Sequence, residues 1–320
     1  MVNNTHPVCV YLGEALGRYG FGNGHPFSTQ RYEVFRDAFN QLKLDQRVDI
    51  GEPKIADQKM LELFHTHDYV ELVKQKSKTG TGYLDCGDTP AFIGVYEAGS
   101  TVVGTTVDAA SQIMRGAYKR AFVPIAGLHH ARRDIAAGFC AFNDCGVVIE
   151  HLLNHHGIKR IAYVDIDAHH GDGVYYSFED DPRLIFADMH EDGRYLYPGT
   201  GKIEETGRGK AAGKKLNIPM PPNADDSLFM QIWPRLEDFI RRNKPEFILL
   251  QAGADSIHGD PITHLAYSEA SHAYATSRLC KLADEACEGR LLVMGGGGYN
   301  LNNIVKTWTA VIEALVDSSR

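Results

Sequence analysis

The chain has 320 residues, 43% of them hydrophobic and 23% charged, which is enough apolar material for one sizeable α/β core. Its formal charge of -8 and pI near 6.0, with no run of Lys or Arg, exclude the basic stripe that direct nucleic-acid binding needs. No apolar stretch approaches the roughly 18 residues of a membrane span, and Met1-Val-Asn-Asn-Thr-His-Pro7 lacks the basic and apolar blocks of a signal peptide.

Short apolar runs alternate with segments of helical period, which predicts a parallel sheet covered by helices on both faces. A first strand is expected at 7–12. Residues 29–42 then place Val34, Phe35, Ala38, Phe39 and Leu42 on one face of an amphipathic helix. Further strands are expected at 120–125, 160–166, 184–187, 215–218, Phe247–Gln251 and Leu291–Met294. Helical stripes fall at Leu228, Phe229, Ile232, Trp233, Leu236, Phe239 and Ile240, and at Ile304, Val305, Trp308, Val311, Ile312 and Leu315. Their aromatics read as core. No repeat, low-complexity tract or linker marks a boundary, so one domain over 1–320 is expected. Cys9, Cys86, Cys140, Cys145, Cys280 and Cys287 form no CxxC pair, which suits free thiols in a reducing, cytoplasmic setting.

The polar residues are informative by position. The run at 160–164 leads into Asp165-Ile-Asp167-Ala-His169-His170-Gly-Asp172, where Asp165, Asp167 and His169 share one parity and leave the strand on one side. One buried Asp or His is ordinarily satisfied by hydrogen bonds; several crowded at the end of one apolar strand call for a cation. Other expected strands run into His129-His130, Asp188-Met-His190, Ala-Gly-Ala-Asp255 and Gly295-Gly-Gly-Gly-Tyr299. In an open parallel sheet those carboxyl ends share one edge, so five strands are expected to deliver their chemistry to one crevice.

Asp167, His169 and Asp255 offer two oxygens and one nitrogen, a set suited to Zn(II) or Fe(II) with a position open to substrate. His129-His130 by itself reads equally as a pair of loop histidines. Asp165 and Asp172 remain once the metal ligands are assigned, and a carboxylate behind each imidazole would fix its tautomer and raise its basicity. Tyr299 follows four glycines, but GGGGYN lacks the Lys and Ser/Thr of a phosphate loop. The glycines let the backbone pass close while the phenol reaches a polarised carbonyl, with a core tyrosine as the plain alternative.

Taken together, His25-Pro26 with Arg31, GLHHA at 127–131, GFCAFND at 138–144, DIDAHHGDG at 165–173, PGTG at 198–201, AGADS at 252–256 and GGGGYN at 295–300 resemble the zinc-dependent histone deacetylase superfamily. That superfamily includes acetoin-utilisation and acetylpolyamine deacetylases. The resemblance implies an α/β, three-layer α/β/α arginase/deacetylase fold with a mostly parallel eight-stranded sheet. It implies Asp167, His169 and Asp255 as ligands of Zn2+, with Fe2+ as the alternative, and a structural K+ held by backbone around Asp165, Asp167 and His169. His130 with Asp172 becomes the general base and acid, His129 with Asp165 tunes the electrostatics, and Tyr299 polarises the acyl carbonyl. Gly138 and Phe139 would line the acyl-lysine channel, Asp85 would hold substrate backbone at its rim, and Arg31 would face an internal acetate cavity. A solvated charge at a helix start is the plain reading of Arg31.

The implied activity is removal of an acetyl or short acyl group from an acetylated lysine peptide or protein, or from a small acetylated amine. Two departures bear on it. An aromatic channel wall expected two residues after His190 is Asp192 here, leaving Tyr195 or Tyr197 to fill the gap. Gly259-Asp260-Pro261 is followed by Ile262 where polyamine-selective relatives carry an acidic residue, which disfavours a polyamine. A two-manganese ureohydrolase of the same fold would need further Asp or His ligands, and a silent acyl-lysine binding module would not need His130, Asp172 and Tyr299 together.

Overall fold

The computed structural model describes residues 6–22 and 24–319; Met1–Thr5, read above for a targeting segment, lie outside the described residues. Eight strands form one sheet: β1 Val8–Tyr11, β2 Asp49–Gly51, β3 Arg120–Val123, β4 Ile161–Asp165, β5 Leu184–Glu191, β6 Lys215–Met220, β7 Phe247–Gln251 and β8 Leu291–Met294. Their order is β2-β1-β3-β8-β7-β4-β5-β6, and every neighbouring pair is parallel. The sheet is therefore wholly parallel, where the sequence suggested mostly parallel. Every residue of β1, β3, β4, β5, β7 and β8 is buried, so both faces of these strands are covered.

Seven long helices supply that cover: α1 Gln30–Gln41, α2 His67–Thr79, α3 Val95–Met114, α4 Asp144–His155, α5 Asp226–Asn243, α6 Glu269–Ala286 and α7 Leu301–Asp317. They pack as two groups, α1, α7, α6 and α5 in one and α2, α3 and α4 in the other. Trp308 of α7 meets Phe35 of α1 and Phe122 of β3 edge to face, so the predicted aromatic stripes are core. In α1 the buried face is Arg31, Tyr32, Phe35 and Phe39, and Leu42 stands outside at 52% exposure. The face is turned from the expected one because Arg31 itself is buried. No helix among the described residues is long and apolar enough to cross a membrane.

Register positions the site. Val123, Met294, Gln251 and Asp165 are successive cross-strand partners, so β3, β8, β7 and β4 end level with one another. The segments that follow must converge just beyond that row. β5 behaves differently: Asp188 pairs with Asp165, but the strand continues to Glu191 along β6. Asp188 and His190 are thus inside a strand and not past its end, a correction to the sequence reading.

The loop after β3 is fixed from behind by the start of α4. Asn143 caps that helix through Gly146 N (2.8 Å), and its amide donates to the carbonyls of His129 (3.3 Å) and Ala131 (2.8 Å). Asp144 accepts the amides of Gly127 and Leu128. Asn143 N–H in turn donates to His65 Nε2 at 2.9 Å. His65 is therefore held neutral, and burial pushes its pKa down from 6.5 to about 3. Between those values the unfolded chain binds a proton that the folded chain refuses. The His65 contribution is complete above pH 6.5 and is lost as pH falls below it. Urea unfolding across pH 6 to 4.5 should show a free-energy slope shallower by about 1.4 kcal/mol per pH unit in His65→Gln than in wild type; equal slopes would refute this.

Candidate active site

Beyond the level strand ends, Asp167 and His169 follow β4, Asp255 follows β7, His129 and His130 follow β3, and Gly297 and Tyr299 follow β8. One ligand atom from each of Asp167, His169 and Asp255 lies within 4.8 Å of the others, and all three residues are buried. His169 Nδ1 stands 3.1 Å from Asp167 Oδ1 and 3.0 Å from Asp255 Oδ2. The remaining oxygens are committed: Asp255 Oδ1 accepts Ala168 N at 2.9 Å, and Asp167 Oδ2 accepts Gly297 N at 2.9 Å and the Gln251 amide at 2.7 Å. Burial and the neighbouring Asp167 push Asp255 up to about 7. Two carboxylates compressed around one imidazole, with their outer lone pairs already used, fit a divalent cation in the space between them.

Each catalytic candidate histidine has its own carboxylate. His129 Nδ1 donates to Asp165 at 2.8 Å, and Tyr163 OH donates to that same carboxylate at 2.7 Å. His130 Nδ1 donates to Asp172 at 2.7 Å. The two Nε2 atoms face each other at 3.2 Å. Burial opposes protonation of both rings, yet the results diverge. Asp165 and Asp167 outweigh burial at His129 and raise it to about 10. At His130 burial is reinforced by the His129 charge, and the pKa falls to about 4 despite Asp172. The pair therefore holds one proton more on His129, whose Nε2–H donates to the unprotonated Nε2 of His130.

His129, His130, Asp167 and His169 line a cavity of about 10 Å³, roughly the space of one water molecule, together with Phe27, Cys140, Gly138, Gly297 and Tyr299. Asp260 accepts Tyr299 N at 2.8 Å, and burial with the charges of Asp255 and Asp167 holds the phenol protonated. Gly138 and Phe139 adopt left-handed backbone angles, φ 53 and 67, and a Cβ at 138 would strike the His130 ring. That turn sets the Phe139 ring 5.8 Å from Tyr299. On the other side Tyr197 meets the rings of His130 at 5.2 Å and His169 at 6.4 Å. Tyr197, and not Tyr195, is the tyrosine that meets these rings; Asp192 is taken up by Arg194.

Residues 25–315 match the family model for the histone deacetylase domain. The chain belongs to the histone deacetylase family. It is 36% identical over 302 residues to the acetoin utilization protein AcuC of Bacillus subtilis (strain 168), spanning 92% of this chain and 78% of that one. Staphylococcus xylosus AcuC is 32% identical over 96% of this chain and 82% of its own length. A solved structure, that of the HDA15 HD domain, superposes with a TM-score of 0.89 at 26% identity, over 98% of this chain and 88% of that one. A deacetylase of the hydrolase class, in a family that uses a metal, thus carries a matching acidic and histidine site.

Two other predicted residues lie at the margins of this cluster. Arg31 is fully buried behind Tyr299, which removes the solvated alternative: it donates to the carbonyls of Gly298 (2.8 Å) and Gly296 (2.6 Å), and Phe27 lies 3.9 Å below its guanidinium. Asp85 lines an open cavity of about 500 Å³ with Asp88, Arg132 and Tyr197, but its Oδ1 accepts the amides of Gly87, Asp88 and Thr89 in its own loop. The expectation of five converging strands becomes four. His190 donates from Nδ1 to Asp188 (2.7 Å) and from Nε2 to the Gly201 carbonyl (2.9 Å), so this dyad anchors the turn carrying Tyr197.

Gln251, Asn143, Asp144 and Asp260 were given no role by sequence reasoning. A lone glutamine closing the apolar run Phe247–Gln251, and the polar ending of GFCAFND, were the available signals. Gly297 tests how tightly the ligands are held, because a Cβ there would strike Asp255 Oδ2 and stand 2.9 Å from Asp167 Oδ2. Gly297→Ala should weaken divalent-metal binding about 10- to 100-fold in chelator competition. Unchanged affinity would show that the carboxylates are not held against this backbone.

Proposed function

We propose that the chain hydrolyses the amide of an acylated primary amine, with an acetylated lysine side chain as its substrate class and a small acetylated amine as the second. The reading is carried by one observation: two histidine-carboxylate dyads and a protonated phenol converge on the cluster of Asp167, His169 and Asp255. Those three residues would hold a divalent ion, zinc by donor type with iron(II) as the alternative, whose chemistry when bound is to polarise the acyl carbonyl and acidify the attacking water. The K+ expected near Asp165, Asp167 and His169 would have a structural part only.

His130 takes the water proton at Nε2, since Nδ1–H is committed to Asp172, and returns it to the departing amine. His129, charged between Asp165 and Asp167, sets the local potential beside the developing negative charge. Tyr299 donates to the carbonyl oxygen as it becomes an oxyanion. Phe139 and Tyr197 sheathe the aliphatic stem, Asp85 and its loop meet whatever the stem is attached to, and Arg31 waits behind Tyr299 for the released carboxylate.

With an acetyl-lysine peptide as substrate, Tyr299→Phe should lower kcat/KM about 10²- to 10³-fold, and His130→Ala about 10²- to 10⁴-fold. Wild-type turnover in either variant would reject the corresponding role.

A further inference from the structure

Helix α4 begins at the site, through Asp144, and ends about 16 Å away along its axis in His151-Leu-Leu-Asn-His155-His156. The reaction above uses none of these three histidines. His151 Nε2 lies 3.1 Å from His156 Nε2 and 3.1 Å from Ser111 Oγ on α3. The rings of His155 and His156 lie 5.2 and 5.0 Å from that of His151. Two imidazole nitrogens on one tetrahedral ion, at bonds of about 2.0 to 2.1 Å, stand roughly 3.3 Å apart. His151 and His156 already have that separation. His155 is four residues from His151, hence on the same helix face, and is exposed; a turn of its ring would bring a nitrogen toward the pair.

We propose that His151, His155 and His156 form an auxiliary site for a borderline divalent cation of the zinc, nickel or copper type, distinct from the Asp167, His169 and Asp255 site. The ligand chemistry suits these ions and not Mg2+ or Ca2+, which take oxygen. Burial and the neighbouring histidines hold His151 at about 4, and burial lowers His156 too, so both rings are neutral at pH 7 and no proton competes with the ion. The carbonyl end of the helix contributes partial negative charge. Arg115 opposes it, its charge bearing on both His151 and His156, which makes this the weaker of the two sites. A proton shared between His151 and His156 would also hold the nitrogens at this distance, but it would confer no metal affinity. A second consequence concerns ion counting: two ions per chain would not by themselves indicate a two-metal ureohydrolase centre.

The test titrates the protein, loaded with one equivalent of zinc, with NiCl2 by calorimetry. Wild type should bind one further ion, and Asp167→Asn should retain that nickel site. In His151→Gln/His156→Gln nickel affinity should fall at least about tenfold with acetyl-lysine turnover unchanged. Should that double variant fail to fold, the exposed His155→Gln carries the test, with a loss of about the same size. Absence of nickel binding in wild type, or undiminished affinity in the folded variants, overturns the proposal. Neither result depends on whether the chain deacetylates lysine.

Discussion

Buried negative charge is the constraint around which the carboxyl edge of the sheet is organised. Asp144, Asp165, Asp167, Asp172, Asp188 and Asp255 are each 1% exposed or less. An ionised carboxylate in such surroundings costs several kcal/mol unless donors surround it. The donors are visible for each: Gly127 and Leu128 amides on Asp144, His129 and Tyr163 on Asp165, Gln251 and Gly297 on Asp167, His130 on Asp172, Gly171 and His190 on Asp188, Ala168 on Asp255. Half of these donors are backbone amides of segments leaving the strands. The loops are held in place by the acids they solvate.

The same constraint separates the two adjacent histidines. They are neighbours in sequence and both buried, yet one faces two carboxylates and the other only one. That difference of environment, with no difference of residue type, sends their basicities in opposite directions. A dyad of identical side chains thereby becomes a charged partner and a neutral one.

The strand positions were readable because fully buried parallel strands are short apolar runs; six of the eight announce themselves that way, and the half-buried β6 was also found. β2 was not: Asp49-Ile50-Gly51 is a three-residue edge strand with no run to detect. Helix α3 was also hidden, since it is buried almost all round and lined with Gly, Ser and Thr, leaving no polar stripe to set a period. At the site, motif order pointed to the residues that the structure brings together, Asp167 with His169 and Asp255 and each histidine with its carboxylate, while supporting groups such as Gln251 and Asp260 act through hydrogen bonds that no spacing encodes. Tyr197 was ambiguous for a different reason. Which of two nearby tyrosines turns inward depends on the anchoring of Gly201 by His190, a contact across 11 residues that periodicity cannot supply.

The four central strands arrive in the order third, eighth, seventh, fourth, so the pocket is assembled from segments remote along the chain. During synthesis Asp167 and His169 leave the ribosome long before Asp255, which lies 86 positions after His169. A two-ligand fragment is a poor chelator, and parallel pairing at such separation is slow. Selection of a divalent ion by these three residues would therefore be deferred to the finished topology, where coordination distance can be enforced, and withheld from the nascent polypeptide, where only abundance would decide.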